Sequence, residues 1–106
     1  MKPHKSVSVR REQLAERALY EAILTLRTAE ECRAFLRDLC TPAELQAMAD
    51  RWAVVQMLQR GLPYREIHRL TDVSVTTIGR VARYLAAGNG GYALAVERLK
   101  PDRKHG

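Results

Sequence analysis

The sequence predicts an all-α fold of six helices that contains a helix-turn-helix. Three observations predict it. Apolar residues recur at three- and four-residue steps along nearly the whole chain. Strand-like alternation is absent. The stretch REIHRLTDVSVTTIGRVARYL, Arg65 to Leu85, reads as a short helix, a four-residue turn and a second helix. At 106 residues the chain is expected to form one domain with a thin core, a size at which a dimer sharing its core is a natural solution.

Each element has a local reason. Leu14, Ala18, Leu19, Ala22, Ile23 and Leu26 place a first amphipathic helix over Arg11 to about Arg27, behind a basic, flexible arm at residues 1–10. Thr28 stands three residues before Glu31, the spacing of a capping box in which the Thr hydroxyl accepts a free N–H and the Glu reaches back to the cap residue's N–H. A second helix follows, with Cys32, Phe35, Leu36 and Leu39 on its inner face. Thr41, Pro42 and Glu44 then form a stronger start signal, and a third helix runs from Pro42 to about Arg60, stopping at Gly61. Its second half, Trp52 to Leu58, is apolar nearly all round and so needs cover on every side; an intertwined homodimer with this helix at its centre supplies it. Pro63 opens a short helix to about Leu70, Thr71 to Ser74 form the turn, and a fifth helix spans Val75 to about Ala87 with Val75, Ile78, Val81 or Ala82, and Leu85 inside. Gly88-Asn89-Gly90-Gly91 ends it. A sixth helix, Tyr92 to Leu99, carries Leu94, Ala95 and Leu99, and closes a domain over 11–100 before a basic tail at 101–106.

Composition narrows the function. The net charge of +6, from 18 Lys and Arg against 12 Asp and Glu, points to an anionic partner, above all nucleic acid. No apolar run approaches the roughly 20 residues of a bilayer span, and the start has no signal-peptide stretch, so a cytoplasmic protein is expected. On one helix Cys32 and Cys40 would stand about 12 Å apart along the axis, too far to bridge, and are expected as buried thiols. His4, His68 and His105 are scattered, no Cys/His pair has metal-ligand spacing, and the glycines at 88–91 follow a helix rather than a strand. No nucleophile–base pair can be named. Neither enzymatic activity nor a cofactor is expected.

The helix-turn-helix, at about 63–87, carries the functional expectation: its first helix and turn hold the second so that its outer face enters the major groove of double-stranded DNA. Ser74, Val75, Thr76, Thr77, Gly79, Arg80 and Arg83 form that face, with Arg65 and Arg69 of the first helix in reach of phosphates. Arg contacts to phosphate supply salt-dependent affinity, and contacts to base edges supply sequence choice. Three residues depart from the usual motif. Asp72 takes a left-handed position at about 1 kcal/mol relative to glycine. Pro63 offers no side-chain acceptor where a cap is usual. His68 either fills space between the helices or donates to a phosphate.

Beyond the motif, TPAELQAMADRW, Arg60-Gly61, REI, VTTIGR and NGGYALAVERLK resemble the Trp repressor superfamily, and more narrowly the Trp-repressor-like YerC/YecD family of small bacterial proteins. The similarity covers roughly Arg11 to Lys100. It implies a six-helix subunit in an intertwined homodimer, with recognition helices about one duplex turn, roughly 34 Å, apart on a pseudo-palindromic site. It also implies a vestigial ligand pocket. Arg51 and Arg80 match the arginines that sandwich the corepressor's indole, and Thr41 matches a threonine near the same pocket. Val81 stands where the family has glycine, and Tyr84 where it has a serine that meets the ligand's amino group. Their volume is expected to close the pocket, so no small-molecule corepressor is expected. Arg51 is then expected to pair with an acid or carbonyl, and Arg80 to contact phosphate. The expected function is a sequence-specific transcriptional regulator, a repressor. Two other readings stay open: a protein–protein interaction module of the transcription machinery, and a repressor that responds to a small molecule through an altered pocket.

Overall fold

The computed structural model describes residues 6–101. Among them it has six α-helices and no strand, as expected: α1 (Ser6–Ile23), α2 (Ala29–Leu39), α3 (Pro42–Gln59), α4 (Tyr64–Thr71), α5 (Val75–Ala87) and α6 (Gly91–Leu99). The chain forms two compact units, Met1–Thr41 and Pro42–Gly106.

In the first unit, α1 starts at Ser6, so half of the arm expected over residues 1–10 is helical. Nothing between Pro3 and Arg11 breaks a helix. The rest of the arm, and all of the expected tail except Pro101, lie outside the described residues. The far end also differs: α1 stops at Ile23 rather than near Arg27. There the Thr25 hydroxyl donates to the Ala22 carbonyl at 2.6 Å, and the amides of Thr25 and Leu26 bond only three residues back. Such tight bonds end a helix. The start of α2 is a capping box with one change. Thr28 Oγ1 accepts from Glu31 N at 3.1 Å, but Glu31 Oε1 accepts from Arg27 N, one residue before the cap, at 2.8 Å. Among the residues whose burial is described, neither helix has a buried one. Cys32, Phe35 and Leu36 are half-buried, Leu39 is exposed, and the two cysteines are free, half-buried thiols rather than buried ones.

The second unit holds the core. Val54 and Val55 of α3, Ile67 of α4, Val73 of the turn, and Ile78 and Val81 of α5 are buried together, with Trp52, Leu58, Leu85, Tyr92 and Val96 packed against them. Helix α5 lies at the centre, packing on α3, α4 and α6. The stop of α3 is as expected: Gly61 takes φ +81°, and Leu62 N returns to the Met57 carbonyl. Only glycine takes that backbone freely, and the return bond satisfies a carbonyl at the helix end.

Two expected inner residues are corrected. Leu70 and Val75 are about half exposed, at 50% and 52%. With α4 only eight residues long, Ile67 alone fills its inward position, and Val75 opens α5 ahead of the core. On α6, Leu94 and Leu99 are exposed, while Tyr92, Ala95 and Val96 are half-buried.

Candidate nucleic-acid interface

The candidate reading element is α4, its turn and α5. Helix α4 begins after Pro63, which makes no side-chain cap bond; only the Pro63 carbonyl is used, by Glu66 N and Ile67 N at 3.0 Å each. It ends on Asp72, at φ 64° and ψ 9°, the left-handed position the sequence places there, with its N–H on the His68 carbonyl at 2.8 Å. The turn is held by side chains of α4. Thr71 Oγ1 donates to the Ile67 carbonyl at 2.7 Å and accepts from Val73 N at 3.1 Å. His68 Nδ1 meets the Val73 carbonyl at 2.7 Å, so that nitrogen carries the proton. His68 thus neither fills the helix interface nor waits for phosphate alone; it is bonded across the turn.

Ser74 caps α5. Its hydroxyl accepts from Thr77 N at 3.1 Å and donates to Thr77 Oγ1 at 3.0 Å. The Thr77 oxygen is thereby used as an acceptor, which leaves its O–H as a donor. Ser74, Val75, Thr76, Arg80 and Arg83 are exposed, and Thr77 and Gly79 are half-buried. Gly79 faces α4: a Cβ there would meet only the Tyr64 ring, at 3.9 Å, an ordinary contact. The half-exposed Tyr64, which sequence reasoning did not single out, therefore borders the same surface.

The cations of this surface are not equivalent. Arg65 is exposed. Arg69 is also exposed but bound to Glu66 through two bonds, Nε to Oε1 at 3.1 Å and Nη2 to Oε2. That pairing holds the Glu66 carboxyl below its ordinary value and raises Arg69. The guanidinium of Arg80 lies 4.7 Å from the centroid of the Tyr84 ring, and that of Arg83 lies 5.5 Å from it. These are cation–π distances.

Behind this face lies a cavity of about 720 Å³, lined by Arg51, Arg80, Val81, Tyr84, Asn89, Gly91 and Tyr92. The expected pair of arginines is therefore brought together, with Val81 and Tyr84 on the same lining. Val81 is 1% exposed and belongs to the core cluster with Val54, Ile67 and Ile78. Tyr84 stands on the wall. The partner expected for Arg51 is also corrected: it is half-buried and makes no hydrogen bond or ion pair among the described residues. Thr41 ends the first unit, one residue before α3. Asn89, Gly91 and Tyr92 were not foreseen as lining. Their place depends on the close approach of α6 to α5, for which periodicity gives no sign.

No cluster of three or more His, Cys, Asp or Glu that could hold a metal occurs among the described residues, and no described helix is long and apolar enough to cross a membrane.

The Trp repressor protein family model matches residues 14–100. The uncharacterized protein YerC of Bacillus subtilis (strain 168) is 44% identical over 82 residues, covering 77% of this chain and 79% of that protein. Among solved structures, a TrpR-like protein from Eubacterium eligens ATCC 27750 superposes with a TM-score of 0.78 at 38% identity, over 81% of this chain and 89% of the other. A putative Trp repressor from Staphylococcus aureus gives 0.77 at 40% identity, over 81% and 86%. With the match spanning α2 to α6 and most of α1, the chain belongs to the Trp repressor family, a family of DNA-binding transcription regulators rather than of enzymes.

Proposed function

We propose that this protein is a transcriptional repressor that binds a pseudo-palindromic operator as an intertwined homodimer and does so without tryptophan. The observation that carries the proposal is the capped N-terminus of α5. There Ser74, Val75 and Thr76 are exposed beside the Thr77 donor, one turn before the exposed Arg80 and Arg83. Small donors at the tip of a rigidly capped helix suit base edges, and the guanidinium groups beside them suit phosphate or guanine.

A dimer is favoured by what the chain leaves uncovered. Helices α1 and α2 bury no described residue, and Leu14, Leu24 and Leu39 are exposed. Trp52, Met57 and Leu58 of α3 are only half-buried. An apolar stripe on a helix is stable when something covers it, and a second copy offers the complementary stripe. Independence from tryptophan is favoured by Tyr84. Its ring already occupies the Arg80 guanidinium that the family resemblance gives to the indole, so the chain supplies the aromatic partner itself.

Selection of bound sequences from a random DNA pool tests the proposal. The expected result is a two-fold symmetric site, bound with an affinity that falls steeply with salt, and lost by more than tenfold on Arg80→Ala or Thr77→Asp with the dimer intact. A pool that yields no symmetric site, together with a nuclease-resistant protein partner in pull-downs, replaces DNA reading with the interaction-module reading.

The open cavity and the unpartnered Arg51 favour a second reading, a repressor whose affinity is set by a small anionic molecule. Thermal shifts against amino acids, indoles and small carboxylates test it. A gain of about 2.7 kcal/mol with tryptophan at 100-fold its dissociation constant overturns the claim of tryptophan independence.

A further inference from the structure

We propose that His68 is a positioning residue for DNA reading, which clamps the turn and so fixes how α5 is presented to the groove. The inference rests on the DNA-reading proposal above.

Val73 is the last residue before the Ser74 cap of α5, and α4 holds both of its main-chain polar groups. Its N–H donates to Thr71 Oγ1 at 3.1 Å, and its carbonyl accepts from His68 Nδ1 at 2.7 Å. Its side chain is buried in the core. The residue that launches the recognition helix is therefore fixed on three sides, two of them by side chains of the preceding helix. Among the described residues that carbonyl takes no other hydrogen bond. Without the imidazole it would be left without a protein partner, which costs more than a typical surface bond returns.

The spacing explains why a histidine suits this place. Asp72 turns the backbone through the left-handed region, which brings Val73 back over the last turn of α4. An acceptor five residues from position 68 then lies within reach of a short side chain whose donor is two bonds from Cβ, as Nδ1 is. A lysine or arginine would carry its donors past the carbonyl. His68 is exposed as a whole, so its loss leaves no hole in the core. The role is therefore in the geometry of presentation and not in bulk stability.

Two measurements on the full-length protein test this. Long-range ¹H–¹⁵N correlation reads the His68 tautomer, assigned by its disappearance in His68→Asn. The proton is expected on Nδ1 of the neutral ring, and an Nε2–H tautomer overturns the clamp. Binding is then compared for the wild type, His68→Gln and His68→Asn, on the selected operator and on random duplex. Gln has no donor at the Nδ1 place, and Asn does. His68→Gln is expected to lose about tenfold on the operator, the scale of one unsatisfied buried polar group, with random-duplex affinity and salt slope unchanged. His68→Asn is expected to recover to within about twofold. Equal losses in both variants overturn the positioning role. So does a salt slope that falls by about one in both, which marks a phosphate contact instead. A wild-type protein that selects no DNA sequence overturns the DNA-reading proposal and this role with it. A wrong tautomer in a protein that does select DNA overturns the clamp alone.

Discussion

Both units, Met1–Thr41 and Pro42–Gly106, are built from helices that carry apolar surface, yet among the described residues only the second encloses a core. The 18-residue α1 carries Leu14, Leu19, Ala22 and Ile23 at helical spacing and buries none of them. The equally long α3 places Val54 and Val55 at 0% exposure. The difference is one of neighbours. Helix α5 crosses α3, α4 and α6, and each of those contacts closes part of its apolar surface. Within their own unit α1 and α2 meet no comparable surface. Helices of this length gain most of their stability from packing rather than from propensity. The lesson is that an apolar stripe states a demand for burial but does not say where the cover comes from.

The largest expected effect lies in the unit that has a core. Ile78→Ala removes a fully buried side chain from the first turn of α5 and should lower unfolding stability by about 2–5 kcal/mol, read from the urea midpoint. A loss below about 1 kcal/mol would mean that the α3–α5 packing is not what holds this unit.

Leu14→Ala sharpens the contrast. Leu14 is 62% exposed in the single chain, and on that basis its truncation should change stability by less than about 0.5 kcal/mol. If a second copy covers α1, as proposed, the expected loss is about 1.5–3 kcal/mol, with a melting temperature that rises with protein concentration. A flat concentration dependence and an unchanged midpoint would break the proposed dimer at α1.

The smallest effect concerns the DNA face. Glu66 ties up Arg69, so Glu66→Gln should release that guanidinium and raise DNA affinity by roughly twofold to fivefold at low salt, measured by a shift assay. The sign with pH follows the same pair. The hydrogen bond from Arg69 lowers the Glu66 pKa, so the pair is intact at neutral pH and is lost only as pH falls through that lowered value, below the ordinary carboxylate range. An affinity unchanged or reduced in Glu66→Gln would place Arg69 away from the phosphates.

Much of the site was legible because its signals are local. Ser74 and Thr28 cap helices where their spacing says they should, Asp72 takes the left-handed turn, and Gly61 stops α3. Each depends on a hydrogen bond or dihedral within about four residues. The resemblance likewise located the arginine pair of the cavity. The pocket's state was not legible. Val81 is 1% exposed and belongs to the buried core, yet it also lines the cavity, a double placement that periodicity does not show. Arg51 is expected to pair with an acid or a carbonyl, and among the described residues it bonds to neither. Leu70 and Val75 looked like core by type and are half exposed by position.

The sequence by itself determined the helices, their caps and stops, the helix-turn-helix and the family, because backbone hydrogen bonding and apolar periodicity act over a few residues. The tertiary structure alone decided that Val81 belongs to both core and cavity wall, that Tyr84 lies beneath Arg80, that Arg69 is held by Glu66, and that His68 reaches the Val73 carbonyl. Those depend on how helices cross and on which rotamer the crossing leaves open, and such distances are not written in the order of residues.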